Sequence, residues 1–450
     1  MKKYFISGAM LAGLMSLAAC SNDEGVVADN NGAEQQFTIT LASSGDRATR
    51  AAADRTLESE AAGQSIEKVT LIVRSQDDVR SQDDGADKNK VVYTYTLDNW
   101  NGTATDYDTN GHGKKLTFTI PKADKLGAGS YVVTAVGYNE SNYTLSLPNK
   151  GDVVDKNITA TTPTGAEAKE VFAGEQKFNV TADKKIEGTD ASKAIQSVDV
   201  ALHRQVAGAY GYFTSIPAKI GDTEVASIRM VSRSKNTVLT FGSFNSSFTT
   251  TDANVMYMVN GSVPATKTAK FLNGDEANVL FSAQITDWFP GGDKNNDGVY
   301  DKKDTNWTKH YSGSYLKGSV FASNFIVPFS ATQGKSTLEL QLLDATGNVL
   351  YAWPVKLDAS NAQVGKTGET ASADLFGAGT AMGFAETADV FSLFRNHIYS
   401  IGIHKQGTST TDPETPVPGT DQPTDLSKIQ NVVIRVNDNW EALHHMSIDE

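Results

Sequence analysis

The feature of this chain that most limits its fold is the alternation of apolar and polar residues with a period of two. The alternating segments are rich in Val, Ile, Thr, Tyr and Phe, and Gly, Asn or Asp lie between them. Because successive side chains of a β-strand point to opposite faces of a sheet, the pattern predicts an all-β protein with few, short helices. The clearest segments are Val69–Val73, Val92–Leu97, Leu116–Ile120, Tyr131–Val136, Val198–Val206, Thr237–Phe241, Leu338–Leu342 and Val349–Trp353.

The strand-like segments fall into two sets. A polar stretch with little periodicity, Thr181–Lys193, separates them, and we place a domain boundary near Ala194. A chain of 450 residues is long enough for two domains with their own cores. The sequence therefore predicts one β-sandwich over residues 51–194 and a second over residues 195–406.

Two connections between neighbouring segments have turn signals. Pro121 and the Gly127–Gly129 stretch lie between the third and fourth segments and favour a hairpin-like connection. The stretch Asp344–Asn348 lies between the last two segments and is typical of the turn in a β-hairpin.

The chain begins like a lipoprotein precursor. A basic start at Lys2 and Lys3 is followed by the apolar run Tyr4–Leu17, which is too short to span a membrane. Two alanines then precede Cys20, the single cysteine of the chain. This order predicts a signal peptide over residues 1–19, cleavage before Cys20 and a lipid such as palmitate on its thiol. Stability must then come from buried apolar area, because the chain has no second cysteine for a disulfide bond.

Charge and motifs exclude several functions. The net charge of −13 argues against nucleic acid as a partner, and against a membrane contact other than the lipid anchor. The acidic stretch Ser21–Glu24 resembles the signal that directs lipoproteins of Bacteroidetes-type bacteria to the outer face of the outer membrane. The histidines are scattered and the sequence has no catalytic motif, so we expect no enzyme.

Both ends of the chain carry an alternating segment outside the two sets. Near the N-terminus, Phe37, Ile39 and Leu41 alternate with threonines, and an exposed stretch of small residues with Arg47, Arg50 and Arg55 follows. A trypsin-like protease would cut such a stretch. Near the C-terminus, residues 407–428 have the composition of an extended linker. The tail that follows places apolar side chains on one face at Val432, Ile434, Val436, Trp440, Met446 and Ile448.

The order of these parts resembles the FimA-type fimbrillins, the pilin subunits of Bacteroidetes-type (type V) pili. Three local segments are also similar to that family. Val198–Ala207 looks like the strand that opens its C-terminal domain, Phe394–Ile401 looks like a late strand of that domain, and Val433–Glu441 looks like its C-terminal strand.

The resemblance implies two transthyretin-like β-sandwich domains and assembly by strand exchange. Residues 20–50 would be a lipidated propeptide whose strand, with Phe37, Ile39 and Leu41, is released by an arginine-specific protease. Arg50 would be the cut, with Arg47 and Arg55 as alternatives. The tail, residues 429–450, would be the donor strand that fills the vacated groove of a neighbouring subunit.

The resemblance also implies partners and a location. The partners would be further copies of the subunit, anchor and tip subunits, and surface ligands on host or bacterial cells. The precursor would be an outer-membrane surface lipoprotein, and the cleaved protein would be a stalk subunit of an extracellular fimbrium. The alternative from another class is a monomeric surface lipoprotein that binds glycans for nutrient uptake. Such a binder needs neither a removable first strand nor an additional strand beyond a linker.

One loop has the spacing of a calcium site. Positions 1, 3, 5, 7 and 12 of the stretch Asp293–Asp304 offer oxygen ligands, and Gly298 lies at position 6, where a sharp turn is needed. The last position carries Asp instead of the usual Glu. The alternative is an ordinary Asn/Asp/Gly surface loop. The predicted ligands are Asp293, Asn295, Asp297, the carbonyl of Val299, and Asp304.

If this loop binds calcium, the ion should stabilise the folded protein by mass action. We expect a heat of binding in calorimetric titration with CaCl₂ and a lower melting temperature in chelator. An Asp293→Asn, Asp297→Asn double variant should lose both effects. Absence of binding heat, together with an unchanged melting temperature in chelator, would identify an ordinary surface loop.

Overall fold

The computed structural model describes most of the two predicted domains and short pieces near both chain ends. The described residues are 34–41, 66–76, 89–106, 114–139, 143–154, 158–161, 168–187, 197–241, 266–267, 278–311, 315–329, 338–357, 393, 395, 398–404, 422–427 and 432–437. Within them the chain is almost entirely β-strand, which confirms the all-β class. The helices there are α1 (Trp100–Thr103), α2 (Ile285–Trp288) and a 3-10 turn at Lys122–Asp124. None of the described helices has the length and apolar character needed to span a lipid bilayer.

The first β-sandwich is built from eight strands in the order β3-β2-β6-β9-β10-β1-β5-β4. Strand β10 pairs with β1 along Ser197–Leu202 and with β9 at His203 and Arg204, so it passes from one layer to the other. The strands up to this point are β1 (Gln36–Leu41), β2 (Lys68–Ser75), β3 (Val91–Leu97), β4 (Thr105–Asp106), β5 (Lys114–Thr119), β6 (Gly129–Tyr138), β7 (Thr144–Ser146), β8 (Ile158–Thr161), β9 (Phe172–Val180) and β10 (Ser197–Arg204).

The core of this sandwich lies between its two layers. Leu71 on β2 and Val133 on β6 belong to one layer, and Ile39 on β1 and Val200 on β10 belong to the other. All four side chains are buried in one cluster. The backbones of β9 and β10 come close together at Gly174 of β9, where a Cβ atom would lie 1.9 Å from the carbonyl oxygen of Ala201. Glycine is therefore required where β10 crosses between the layers.

The placement of β10 corrects the sequence interpretation. The segment Val198–Val206 was expected to open the second domain, but by its pairing it belongs to the first sandwich. Only Gln205 and Val206 connect it to β11 (Ala207–Thr214), the first strand of the second sandwich. A buried ion pair lies at this junction, where Arg204 Nη2 is 2.7 Å from Glu170 Oε1. The polar stretch Thr181–Lys193 resembles a linker, yet its described part forms a turn within the first domain.

The second sandwich continues the pattern with the order β19-β15-β22-β23-β26-β24-β11-β21, and β25 lies beside β11. Its core includes Tyr212, Phe281, Phe321 and Leu340. The remaining strands are β12 (Ile216–Pro217), β13 (Lys219–Ile220), β14 (Thr223–Glu224), β15 (Ser227–Ser232), β16 (Ser234–Lys235), β17 (Val238–Phe241), β18 (Thr266–Lys267), β19 (Asn278–Gln284), β20 (Val299–Tyr300), β21 (Ser319–Ile326), β22 (Leu338–Leu343), β23 (Val349–Leu357), β24 (Ile398–Ile401), β25 (Thr424–Asp425) and β26 (Val432–Asn437).

The two sandwiches share an apolar contact. Strand β17 comes from the second half of the chain but pairs with β8, which in turn pairs with β7. Ile72 and Val136, on the outer face of the first sandwich, belong to the same buried cluster as the second core. A continuous apolar interface of this kind favours a fixed arrangement of the two sandwiches.

The two predicted turn connections had different outcomes. Strands β22 and β23 form the expected hairpin. At its turn, the side chains of Asn348 and Thr346 and two backbone N–H groups donate to the Asp344 carboxylate, which lowers the pKa of Asp344 to about 2. The hairpin expected between β5 and β6 was wrong, because β5 pairs with β1 and β4, and β6 pairs with β2 and β9. Their connection crosses between the two layers.

The C-terminal segments are more integrated than the sequence suggested. The linker was expected to be extended throughout, but Leu426 at its end is buried and β25 pairs with β11. The tail was expected to stand apart from both domains. Instead, β26 lies inside the second sheet, parallel to β23 and antiparallel to β24. It joins the two layers of the second sandwich, and these two expectations were wrong for the described residues.

We expect deletion of residues 429–450 to lower the melting temperature, because it removes the strand that closes one side of the second sandwich. Deletion of residues 438–450 is the matched control, since it keeps β26. Thermal denaturation followed by circular dichroism should give a clearly lower midpoint for the longer deletion only. Equal midpoints for the two deletions would show that β26 contributes little to the fold.

Candidate functional site

The candidate site is the slot that the first strand of the chain occupies. Strand β1 lies in the interior of the sheet, parallel to β10 on one side and antiparallel to β5 on the other. Every residue from Gln36 to Leu41 is paired on both sides. A chain end therefore supplies an interior strand, and its loss would leave two rows of backbone donors and acceptors facing each other across a gap.

The inner face of β1 is apolar and completely enclosed. The family resemblance implied that Phe37, Ile39 and Leu41 fill a groove. Phe37 and Ile39 are buried in the core of the first sandwich, with 0% and 1% exposure. Leu41 is paired in the strand, and its side chain lies outside the described set.

Phe37 lies at the centre of a row of aromatic rings. Its ring is 5.6 Å from that of Phe118 and 5.4 Å from that of Phe178. The row continues on one side to Tyr95, 5.0 Å from Phe118, and on the other to Tyr131, 5.5 Å from Phe178. Aromatic pairs at these separations add to the stabilisation from burial. Removal of β1 would interrupt this row at its middle.

A buried polar contact anchors the beginning of β1, and the sequence reasoning missed it. Gln35 is completely buried. Its Nε2 donates to the carbonyl oxygens of Leu126 and Lys184, at 2.9 Å each, and its Oε1 accepts the N–H of Leu126 at 2.7 Å. The sequence could have indicated this contact, because Gln35 lies on the same face of the strand as Phe37 and Ile39.

The turn at Lys184 positions one of these carbonyl groups. Lys184 has a left-handed backbone with φ of 60°, which is uncommon for a residue other than glycine. The hydroxyl of Thr181 accepts the N–H of Lys185, and the Lys184 N–H donates to the Thr181 carbonyl. This turn is part of the stretch that the sequence analysis read as a domain linker. In the structure, this turn forms part of the pocket that binds the Gln35 amide.

The outer face of β1 is polar and open to solvent. The hydroxyl groups of Thr38 and Thr117 lie 2.8 Å apart, and Gln36 Nε2 donates to Thr119 Oγ1 at 3.2 Å. Both contacts are exposed. A strand in this slot is therefore enclosed on its inner face only.

Several predicted site residues lie outside the described residues. They are Cys20, the candidate cleavage sites Arg47, Arg50 and Arg55, and the tail residues Trp440, Met446 and Ile448. The three arginines fall within residues 42–65, the segment between β1 and the next described residue, Ile66. Val432, Ile434 and Val436 lie in β26, and the backbone pairing of this strand is described but its side chains are not.

The predicted calcium loop is described in full and is closed by its own hydrogen bonds. The buried carboxylate of Asp304 accepts the N–H groups of Lys294 and Asp301 at 2.9 and 3.0 Å. Asp293 accepts two further loop N–H groups. Lys303 Nζ donates to Asp297 Oδ2 at 2.7 Å, which lowers the pKa of the Asp297 carboxyl.

These hydrogen bonds hold the backbone of the loop in place. In the described part of the chain, no three or more His, Cys, Asp or Glu side chains are arranged to hold a metal. A single helical turn, α2, precedes the loop and ends before Phe289. Calcium binding at Asp293, Asn295, Asp297, Val299 and Asp304 stays a prediction.

The Phe37→Ala variant should destabilise the uncut protein by about 3 kcal/mol or more, because it leaves a cavity in the middle of the aromatic row. The Thr38→Val variant is the matched control on the open face, and it should change stability by no more than about 0.5 kcal/mol. Urea denaturation of both variants measures the difference. Similar losses in the two variants would contradict the enclosed inner face described above.

No family model matches the chain. A search of curated proteins also gives no match. Among solved structures, the fimbrial anchor protein Mfa2 from Porphyromonas gingivalis is 9% identical, with a TM-score of 0.33 and coverage of 90% of this chain and 98% of that chain. A fimbrial assembly protein from Parabacteroides distasonis ATCC 8503 is 10% identical, with a TM-score of 0.32. The match covers 84% of this chain and 93% of that chain.

A third similar structure is that of a candidate polysaccharide-binding protein from Bacteroides thetaiotaomicron VPI-5482. It is also 10% identical, has a TM-score of 0.34, and the match covers 82% of this chain and 91% of that chain. At such TM-scores these similarities carry no argument about this chain. Any functional conclusion depends on the slot of β1 and on the two chain ends.

Proposed function

We propose that this protein is a structural subunit of a surface fimbrium, exported as a lipoprotein precursor and polymerised by protease-triggered strand exchange. The observation that carries the proposal is the interior position of β1. A strand supplied by the chain end completes the first sheet, and its only covalent link to the rest of the domain is the arginine-bearing segment 42–65. A cut in this segment would turn an interior strand into a separate peptide.

Cleavage changes the thermodynamics of the slot, although it alters none of its contacts. In the precursor, the tether keeps β1 at a high effective concentration beside its slot. After a cut at Arg50, or at Arg47 or Arg55, a β1 that dissociates is diluted into the surroundings. The empty slot would expose unpaired backbone groups beside an apolar trough, and a strand from another chain can satisfy both.

The C-terminal strand has the right pairing geometry for this slot. In its own domain β26 is parallel to one neighbour and antiparallel to the other, as β1 is in the first domain. It is paired with β23 over Val432–Ile434 and with β24 over Arg435–Asn437, so each of its residues is paired on one side only. In the slot of β1 each residue would be paired on both sides. Entry of β26 into a slot that β1 has already left would therefore exchange one-sided pairing for two-sided pairing.

The second sandwich retains both of its layers when β26 leaves. Strands β19, β15, β22 and β23 remain paired in one layer, and β24, β11 and β21 remain paired in the other. The domain loses stability on one side but keeps the core between the layers. A tail that can leave at this cost is suited to be a donor.

The remaining parts of the proposal follow from the chain ends. Lipid on Cys20 would hold the precursor at the outer membrane surface, and cleavage would release the subunit into an extracellular fibre. A subunit with both a removable β1 and a donor tail can continue the fibre in both directions, which favours a stalk position. Its partners would be other copies, anchor and tip subunits, the protease, and adhesion ligands on other cells.

The tryptophans do not support the alternative of glycan binding. Trp100, Trp288 and Trp353 are buried in the sandwiches. Trp307 is half-buried, and its Nε1 donates to the Ser319 carbonyl at 2.8 Å. A sugar platform requires an aromatic face that is open to solvent. The described tryptophans therefore act in packing.

We expect the purified precursor to be monomeric and to form ladders on mild-detergent gels after treatment with an arginine-specific protease. A variant with Arg47, Arg50 and Arg55 changed to lysine should stay monomeric under the same treatment. The deletion of residues 429–450 should be cut but should form no ladder. Ladders from this deletion, or none from the cleaved full-length protein under assembly conditions, would overturn the proposal.

A further inference from the structure

Resting on the proposed function, we infer that Gln430 sets the register of the incoming strand by replacing Gln35. In this register Val432, Ile434 and Val436 would take the places of Phe37, Ile39 and Leu41. The polar pocket at the beginning of the slot would select this register, and a second copy of this chain would be the partner that carries Gln430.

The pocket has a definite chemical requirement. Two carbonyl oxygens, of Leu126 and Lys184, need donors, and one N–H group, of Leu126, needs an acceptor. A primary amide provides two N–H donors on one atom and an acceptor on another, and Gln35 uses them in this way. Gln35 and Leu126 are buried, so a donor strand that lacked such a group would leave the Leu126 N–H and carbonyl without partners and would remove the donor to the part-buried Lys184 carbonyl.

The tail carries one side chain that meets this requirement at the correct spacing. Gln430 is the single glutamine between residues 423 and 450. It precedes Val432, Ile434 and Val436 by two, four and six residues, and Gln35 precedes Phe37, Ile39 and Leu41 by the same intervals. Gln430 lies two residues before β26 and outside the described residues.

Other registers place unsuitable groups in the pocket. If the tail shifts so that Trp440 replaces Phe37, Asp438 reaches the pocket and its carboxylate faces two carbonyl oxygens. If Met446 replaces Phe37, His444 reaches the pocket, and a neutral imidazole has only one N–H donor for the two carbonyl groups. A shift by two residues puts Val432 there, which can form no hydrogen bond. Among the registers that keep the apolar face of the tail inward, only the one with Gln430 satisfies all three backbone groups.

The open face of the slot allows the register to be measured directly. Gln36 and Thr119 are directly opposite each other on β1 and β5, and their side chains touch. In the proposed register Asn431 takes the place of Gln36, so cysteines at Asn431 and Thr119 come within disulfide distance across two subunits. The natural cysteine, Cys20, is removed with the propeptide, so no other thiol interferes.

The experiment uses full-length double variants that are cleaved, assembled and oxidised. Thr119→Cys with Asn431→Cys should give covalent ladders on denaturing gels without reductant. Two matched variants test the other registers, with Thr119→Cys combined with Asn439→Cys or with His445→Cys, and these should give none. Ladders from either of these in place of the Asn431 variant would overturn the register and leave strand exchange intact. Failure of the wild-type protein to polymerise would instead refute the proposed function.

A second measurement separates the amide from the strand that carries it. Gln430→Ala should slow ladder formation by at least tenfold, and Gln430→Glu should slow it further, because its carboxylate faces the two carbonyl oxygens. Asn431→Ala is the neighbouring control on the open face, and it should assemble at the wild-type rate. Assembly of Gln430→Ala and Asn431→Ala at equal rates would overturn the inference, whatever the crosslinks show.

Discussion

The pairing of β1 between β10 and β5 is the interaction on which the first sandwich depends. Interior strands satisfy the backbone groups of both neighbours, and in a protein core no water is available to replace them. Here that role belongs to a terminal segment whose inner face also carries Phe37 at the centre of the aromatic row. The chain thus concentrates backbone pairing and aromatic packing in one short piece. Whatever removes this piece must supply another strand, because the facing edges of β10 and β5 would otherwise lose their backbone partners.

The two sandwiches use their chain ends in related but unequal ways. Both β1 and β26 lie between a parallel and an antiparallel neighbour, and neither is an edge strand of its sheet. Strand β1 is paired on both sides along its whole length, whereas β26 passes from one neighbour to the other halfway along. The first domain is therefore tightly closed by a segment that precedes the arginine-bearing stretch 42–65. The second is loosely closed by a segment that lies at the other end of the chain.

Periodicity revealed the strands but not their partners. The alternation at Phe37 and Ile39 correctly indicated one buried face, because the face of a strand is a local property of the sequence. The assignment of β10 to the second domain failed because a charged turn near Lys184 has the composition of a linker, and only the tertiary structure shows that its carbonyl receives Gln35. The hairpin expected between β5 and β6 failed for a similar reason. A Pro and Gly connection can return to the same layer or cross to the other, and its residues do not distinguish the two.

A polar anchor solves a problem that apolar packing leaves open. Displacement of a strand by two residues keeps the same face inward, so a trough lined by aliphatic and aromatic side chains discriminates weakly between registers that differ by two. A fixed set of two acceptors and one donor is satisfied in one such register only. Every other register is destabilised, because it leaves some of these groups without a hydrogen-bond partner. Gln35 performs this function for β1, with three hydrogen bonds at 2.7 to 2.9 Å to a pocket shaped by the left-handed turn at Lys184. The apolar residues of the strand provide the stability of the closed sandwich, and the single buried amide determines which residues occupy it.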